Sequence, residues 1–164
     1  MPTRTLLLTS LLPLTVACGE GLSADTGAGA DGMSSADQAV ADQLWADIAG
    51  YENWNQHEDW VGVHLSEDGT HGTHVQIWFN GAAADSLAAG GDGMEDGSIL
   101  VKEGYSSDDS GDLNAITVMK KDAGGWLWAR YDNTGDATMA GDVAASFCEG
   151  CHAVGKDNIR FVAY

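Results

Sequence analysis

Two cysteines and a histidine near the C-terminus have the spacing of a covalent haem attachment site. The segment reads Cys148, Glu149, Gly150, Cys151 and His152. Two cysteines three residues apart can each add to one vinyl group of a protoporphyrin ring, and a histidine directly after the second can reach the iron. The segment therefore predicts one covalently bound haem c, with His152 as the iron ligand.

A disulfide or half of a zinc site that happens to precede a histidine is the competing interpretation. A zinc site needs two further soft ligands at short spacing. The one other cysteine of the sequence, Cys18, lies near the N-terminus. Because these further ligands are missing, haem c is the preferred prediction.

Residues 1–17 have the features of a secretion signal. Arg4 is followed by a short apolar run over residues 6–16, which is too short to span a membrane permanently. Residues 14–17 precede Cys18 as in a bacterial lipobox, so Cys18 is either the lipidated first residue or a leftover after ordinary cleavage. We expect an exported, periplasmic protein, held at the outer membrane by its lipid.

The mature chain is predicted to consist of a tether and one domain. Residues 18–35 are rich in Gly, Ala, Ser and Asp and cannot bury a core. Residues 36–164 are long enough for one haem domain. With 7 Lys and Arg against 25 Asp and Glu the net charge is -18, which argues against nucleic acid or an anionic membrane surface as a partner.

The hydrophobic pattern predicts an α+β domain. Helical spacing of Val40, Leu44 and Ile48 indicates a helix over residues 36–48, started by Ser34 or Ser35. Five short strand patterns separated by Gly- and Asp-rich turns favour a mostly antiparallel sheet with flanking helices. The predicted strands are 61–65, 74–79, 99–103, 115–119 and 126–131, and further helices are predicted at 82–89 and 139–148.

Several segments occur in an informative order along the chain, at residues 71–75, 79–82, 97–103, 117–121, 125–129 and 148–152, followed by Asp157 and Phe161. Together they resemble the cytochrome P-460 family, which includes the beta form of cytochrome c-prime. The resemblance implies an antiparallel β domain, a homodimer, and one haem c with five-coordinate iron that is open to small nitrogen compounds.

The resemblance singles out Lys102 as a candidate catalytic and haem-binding residue. In the hydroxylamine-oxidising members a lysine between Val and Glu is bonded to a meso carbon of the haem, and Lys102 stands in that context. The alternative is an ordinary strand lysine. Alternation along a strand puts Leu100 and Lys102 on one face and Val101 and Glu103 on the other.

Oxidation of hydroxylamine also needs a proton acceptor near the iron. The strand that should supply it, residues 114–119, has no acidic side chain. Thr117 or Val118 would face the iron instead, which favours nitric oxide as a ligand. Loop residues Glu95 and Asp96 remain alternative acceptors.

Two other sets of residues could bind metal. His71 and His74 are three apart and would point to opposite faces of a strand unless Gly72 makes a turn, so we expect them to be structural. A thioether from Met94, Met119 or Met139 could complete a six-coordinate iron.

Three functions stay open. The first is hydroxylamine oxidation, with electrons passed to a soluble redox partner. The second is binding of nitric oxide without turnover, and the third is simple electron transfer with a methionine ligand. The Lys102 bond, a base near the iron and the sixth ligand separate them.

Overall fold

The computed structural model describes residues 32–66, 68–90, 93–108 and 110–160. The predicted signal segment, Cys18 and most of the tether lie outside these residues. The strands form one antiparallel sheet in sequence order, β1 to β6. They are β1 (His64–Leu65), β2 (His74–Phe79), β3 (Ile99–Tyr105), β4 (Leu113–Asp122), β5 (Gly125–Asp132) and β6 (Ala137–Ala140).

Three α-helices flank the sheet, and the predicted α+β class is confirmed. They are α1 (Ser35–Asp47), α2 (Gly81–Ala89) and α3 (Gly141–His152), with 3-10 turns at Tyr51–Asn53, Glu58–Trp60 and Ser110–Asp112. Among the described residues no helix is both long enough and apolar enough to cross a membrane.

The sequence prediction was wrong at the junction of β6 and α3. Residues 139–148 were predicted as a helix, whereas Met139 and Ala140 extend the ladder opposite Arg130 and Ala129. Gly141, with φ of 59°, marks the change from strand to helix. Strand β1 is also shorter than predicted, because only two residues pair with β2.

One face of the sheet, here called the closed face, is covered by α1. The helix starts where Ser34 Oγ accepts a hydrogen bond of 3.1 Å from the Asp37 amide, as expected for an N-cap. Tyr131 also ties the sheet to the helix by donating to the Ala41 carbonyl over 2.7 Å. The buried side chains here are Ala41, Leu44, Ile48, Ile99, Val101, Ile116, Val118, Ala129 and Tyr131.

The opposite face, here called the cavity face, packs against α2 and α3. Its cluster includes Leu100, Met119 and Trp128 from the sheet, Ala83 from α2 and Ala144 from α3. Because side chains alternate along each strand, neighbouring residues of β3, β4 and β5 serve different faces. The cavity face is incompletely filled and holds the candidate site.

Candidate haem site

A cavity that is partly open to solvent lies on the cavity face. Its walls are mostly apolar, with a few polar side chains among them, as is common for cofactor sites. A second cavity adjoins it, and His71, Lys102 and His152 line both. The lining includes Ile77, Leu100, Thr117, Met119, Trp128, Cys148 and Ile159, and on the second side Trp60, Asp68 and Arg160.

Helix α3 brings the predicted attachment residues to the cavity. Cys148 and His152 are four residues apart and therefore lie on one side of the helix, one turn from each other. Cys148 is half-buried in the cavity wall, while Cys151 is exposed. Burial, followed by the neighbouring Cys151 thiol, raises the pKa of Cys148, so its thiol is protonated at neutral pH.

His152 is held so that one ring nitrogen stays available. Its Nδ1 lies 2.8 Å from the carbonyl oxygen of Asn158, and since a carbonyl only accepts, Nδ1 is assigned the proton. Nε2 is then unprotonated, as in metal-binding histidines that donate their other N–H to a carbonyl. Burial also lowers the pKa of His152, which favours the neutral ring that binds iron.

A turn after α3 fixes the carbonyl that holds His152. Asp157 and Asn158 both have positive φ, 46° and 64°. The Asp157 carboxylate accepts hydrogen bonds from Lys121 Nζ at 2.7 Å, the Met94 amide at 2.7 Å and Trp126 Nε1 at 3.0 Å. These three contacts anchor the turn to β4, β5 and the segment before β3.

Lys102 lies in the middle of β3 and lines both cavities. It is half-buried, and it stands opposite Ile77 of β2 and Thr117 of β4 in the ladder. The predicted alternation is confirmed, since Leu100 lines the same cavity and Val101 is buried in the closed face. Lys102 and His152 therefore share one space.

No side chain from the middle of β4 brings a carboxylate to this space. Thr117 lines it, and its hydroxyl lies 3.2 Å from the Lys102 carbonyl oxygen. Glu95 and Asp96 are exposed in the turn before β3 and line neither cavity. In the described part of the chain, the carboxylate at the cavities is Asp68, which is 3.5 Å from Arg160 Nη1.

His71 also belongs to the site, which the sequence prediction missed. It lines both cavities, and its ring centroid is 6.2 Å from that of His152, with the ring planes at 89°. Burial first, and then the Lys102 charge, lower the pKa of His71 to about 3, so the ring is neutral. His74 instead begins β2, where its Nδ1 is 3.3 Å from Thr73 Oγ1.

Two glycines allow the backbone of the turn that carries His71 to pack closely against β3. Gly72 has φ of 137°, and a Cβ there would be 2.7 Å from the backbone nitrogen of Tyr105. At Gly104 a Cβ would overlap the carbonyl oxygen of His71 itself. The Gly in the His-Gly-Thr-His string indicates that another backbone segment can approach closely there, although the sequence alone does not show which strand it is.

The residues at the cavity suit a covalently attached haem. The buried Nε1 of Trp128 has no hydrogen-bond partner within the described residues, and its ring is 4.9 Å from His152. An unmatched buried donor is costly, and a carboxylate or iron-bound ligand could accept from it. Lys102 and Arg160 place positive charge where porphyrin carboxylates could bind, in a protein that is otherwise strongly acidic.

The three methionines considered as iron ligands lie in different positions relative to the cavity. Met119 lines the cavity. Met94 is buried in the cluster of the cavity face, and Met139 packs against it. Across the described residues there is no group of three or more His, Cys, Asp and Glu side chains that could hold a separate metal ion.

Comparison with known proteins identifies the family. A search of curated proteins finds no match to the chain. The family model described as Cytochrome P460 matches residues 48–159, about two thirds of the sequence. The matched range includes Lys102 and the 148–152 segment, and the family binds haem. The chain belongs to the cytochrome P460 family.

Proposed function

We propose that this protein carries one haem c, attached to Cys148 and Cys151 and bound through iron to His152. The available Nε2 of His152 beside a cavity that Cys148 also lines supports this. A bound haem would supply an iron that changes oxidation state and accepts a small ligand. The chain's own residues would orient His152, enclose the ring and limit access of water.

We further propose that the protein acts on small nitrogen compounds, with hydroxylamine oxidation as the first candidate. The observation that carries it is the position of Lys102, which lines the same cavities as His152. There the side chain could bond to the ring edge. The bond would replace one ring hydrogen and one Lys102 Nζ hydrogen, and an external two-electron oxidant would be needed.

The test is the intact mass and absorption spectrum of the haem-loaded protein and of Lys102→Ala. Addition of two thiols to the vinyl groups loses no atoms, so a cross-linked protein is lighter than the sum of chain and haem by two hydrogen atoms. Its spectrum is strongly shifted from ordinary haem c. Lys102→Ala should restore the ordinary mass and spectrum. Lys156→Ala, at an exposed lysine, should change neither. An ordinary spectrum in the wild type would exclude the cross-link.

Nitric oxide binding without turnover is the second candidate. It is favoured by the apolar cavity walls and by Thr117 in the strand where an oxidase would carry a carboxylate, because an uncharged ligand needs no proton acceptor. Binding of nitric oxide together with absence of hydroxylamine oxidation, measured with a soluble electron acceptor, would select this candidate. The reverse result would reject it.

Export and anchoring are proposed from the sequence. Residues 1–17 would be removed as a signal, Cys18 would carry lipid, and residues 18–35 would tether the domain to the outer membrane in the periplasm. Membrane fractionation of wild type and Cys18→Ser tests the anchor, since only the wild type should sediment with membranes.

A homodimer is proposed from the family resemblance, and sedimentation of the haem-loaded domain tests it.

A further inference from the structure

One cation of the cavity face has no carboxylate partner among the described residues, although the chain carries 25 Asp and Glu. Lys120 and Lys121 each lie 2.7 Å from a carboxylate, and Arg160 lies 3.5 Å from one. The half-buried guanidinium of Arg130 makes no ion pair and no hydrogen bond with any described residue. A partly buried charge without a counter-charge is costly, so this arrangement favours a ligand that supplies the missing negative charge.

The register of the sheet places Arg130 on the cavity face. It is two residues from Trp128 on β5, and Trp128 lines the cavity, so alternation puts both side chains on the same face. Arg130 stands opposite Thr117 of β4 and Met139 of β6, and Thr117 stands opposite Lys102 of β3. Two cationic residues therefore flank a short polar one in a single row across the sheet.

The charge of Arg130 reaches side chains that line the cavity. Burial is the largest cause of the lowered pKa of His71, followed by Lys102 and by further charges that include Arg130. Burial and then the Cys151 thiol raise the pKa of Cys148, and the Arg130 charge opposes them. His71 and Cys148 both line the cavity, so an anion held there would lie within the field of Arg130.

Arg130 belongs to the thiol side of the proposed haem site. Met139, its partner in the ladder, packs against the same apolar cluster as Cys148. In protoporphyrin the two vinyl groups and the two carboxylates lie on opposite edges of the ring. With the vinyl groups bonded to Cys148 and Cys151, the haem carboxylates would lie on the far edge from Arg130. The anion that Arg130 lacks would then be a separate, smaller ligand.

We propose that Arg130 binds a small planar oxyanion in the cavity, and that this anion is nitrite. A guanidinium group presents parallel N–H donors that match two oxygens of one anion. Among small nitrogen compounds, nitrite has this charge and shape. The inference rests on the proposed action on small nitrogen compounds, and it specifies the charge and shape of one that the site would bind.

The experiment titrates nitrite into the ferric haem-loaded wild type, Arg130→Gln and Lys156→Gln at neutral pH. Absorption and isothermal titration calorimetry report nitrite binding, and uncharged nitric oxide is titrated for comparison. Loss of the guanidinium should weaken nitrite binding about tenfold or more, as expected for hydrogen bonds to a charged group. Nitric oxide binding should stay unchanged. Lys156→Gln removes one positive charge at an exposed position and should behave as the wild type.

Arg130→Lys provides a second variant should Arg130→Gln fold poorly. It keeps the charge but not the planar fork, and we expect an intermediate loss of nitrite affinity. Wild-type nitrite affinity in a folded Arg130 variant would overturn the inference, and so would an equal loss of nitrite and nitric oxide binding. A changed reduction potential with unchanged nitrite affinity would make a haem carboxylate the partner of Arg130 and would also overturn it.

Intact mass separates this inference from the proposed haem attachment. Attached haem with a nitrite affinity that does not depend on Arg130 counts against the anion site alone. A chain without attached haem counts against the attachment, and calorimetry with nitrite then tests Arg130 in that chain, because the calorimetric signal does not need the iron spectrum.

Discussion

The two faces of the central sheet differ in whether their buried polar groups have hydrogen-bond partners. On the closed face the Glu103 carboxylate accepts from Tyr51 Oη at 2.6 Å, Tyr105 Oη at 2.6 Å and Trp78 Nε1 at 3.0 Å. On the cavity face Trp128 Nε1 is buried without a partner in the described part of the chain. The buried carboxylate of the closed face therefore has its hydrogen-bond partners within the protein, whereas the buried Trp128 Nε1 of the cavity face can donate to a bound group.

The same strands build both faces, so the difference arises from single alternating residues. On β3, Val101 is fully buried under α1, while Leu100 and Lys102 line the cavity. A sheet that is rigid on one side can hold chemically useful groups on the other. The closed face supplies the stability that an incompletely packed cavity face cannot supply.

Removing the Glu103 carboxylate should be the most damaging change to the closed face. Glu103→Leu leaves three donors without their acceptor, and we expect a loss of about 4 kcal/mol in the free energy of unfolding. Burial and the Glu103 contact raise the pKa of Tyr51 and of Tyr105, so both phenols stay protonated and need an acceptor. Urea denaturation followed by circular dichroism measures the loss.

Glu103→Gln is the control for that change, because it keeps one acceptor oxygen in nearly the same shape. It should cost clearly less than Glu103→Leu. Equal stability of the leucine variant and the wild type would show that the hydrogen bonds of the closed face do not stabilise the fold. Intact mass should show haem attached in both variants.

A methyl group at Gly104 should both destabilise the fold and displace the turn that carries His71. Gly104→Ala places a Cβ against the His71 carbonyl, and overpacking of this kind costs about 3 kcal/mol. The turn must move away from β3, so the His71 side chain should shift in the cavity and the absorption spectrum of the haem-loaded protein should change. Gly124→Ala is the control, since no atom lies within 4 Å of its added Cβ. An unchanged absorption spectrum in Gly104→Ala would mean that this contact does not position His71.

Neighbouring residues of β3 allow the most direct comparison of the faces. Val101→Ala should lower the free energy of unfolding by about 2 kcal/mol, because it opens a void in a packed core. Leu100→Ala removes a larger side chain but only enlarges an existing cavity, so it should cost no more than Val101→Ala, about 2 kcal/mol in the protein without haem, the low end for a buried leucine. The absorption spectrum should shift in Leu100→Ala and stay unchanged in Val101→Ala. The opposite pattern would reverse the assignment of the faces.

Much of the sheet was predictable because local patterns dictate it. Alternation on β3 separated Leu100 and Lys102 from Val101, and this is what the structure has. The attachment motif was equally local, since Cys148 and His152 lie on one helix. In each case the information lies within a few residues of the chain.

The missed features depend on contacts between distant parts of the chain. His71 reaches the cavity because its turn crosses Gly104, which is more than thirty residues later in the sequence. The first two residues of predicted helix 139–148 were misassigned because Met139 and Ala140 pair with β5, whereas residues 141–148 are helical as predicted. No local pattern contains the partner strand, so periodicity alone could not locate either feature.

The smallest predicted effect concerns the turn that supports His152 on the cavity face. Burial alone would raise the pKa of Asp157, but hydrogen bonds from Lys121, the Met94 amide and Trp126 outweigh it, and the pKa is lowered from the ordinary value of 3.8. A carboxyl group with a lowered pKa in the folded state stabilises the fold above its unfolded pKa. That contribution is lost as the pH falls through 3.8 towards the folded value.

Asp157→Asn should therefore cost about 1 kcal/mol at neutral pH and should remove part of the loss of stability in acid. The free energy of unfolding, measured by urea denaturation at steps from about pH 6 to about pH 2.5, should converge for wild type and Asp157→Asn at the acid end. Asp85→Asn, at an exposed position on α2, should follow the wild type throughout. If the gap between wild type and Asp157→Asn stays constant with pH, the charge of Asp157 does not hold the turn, and the orientation of His152 depends on the left-handed backbone of residues 157 and 158 alone.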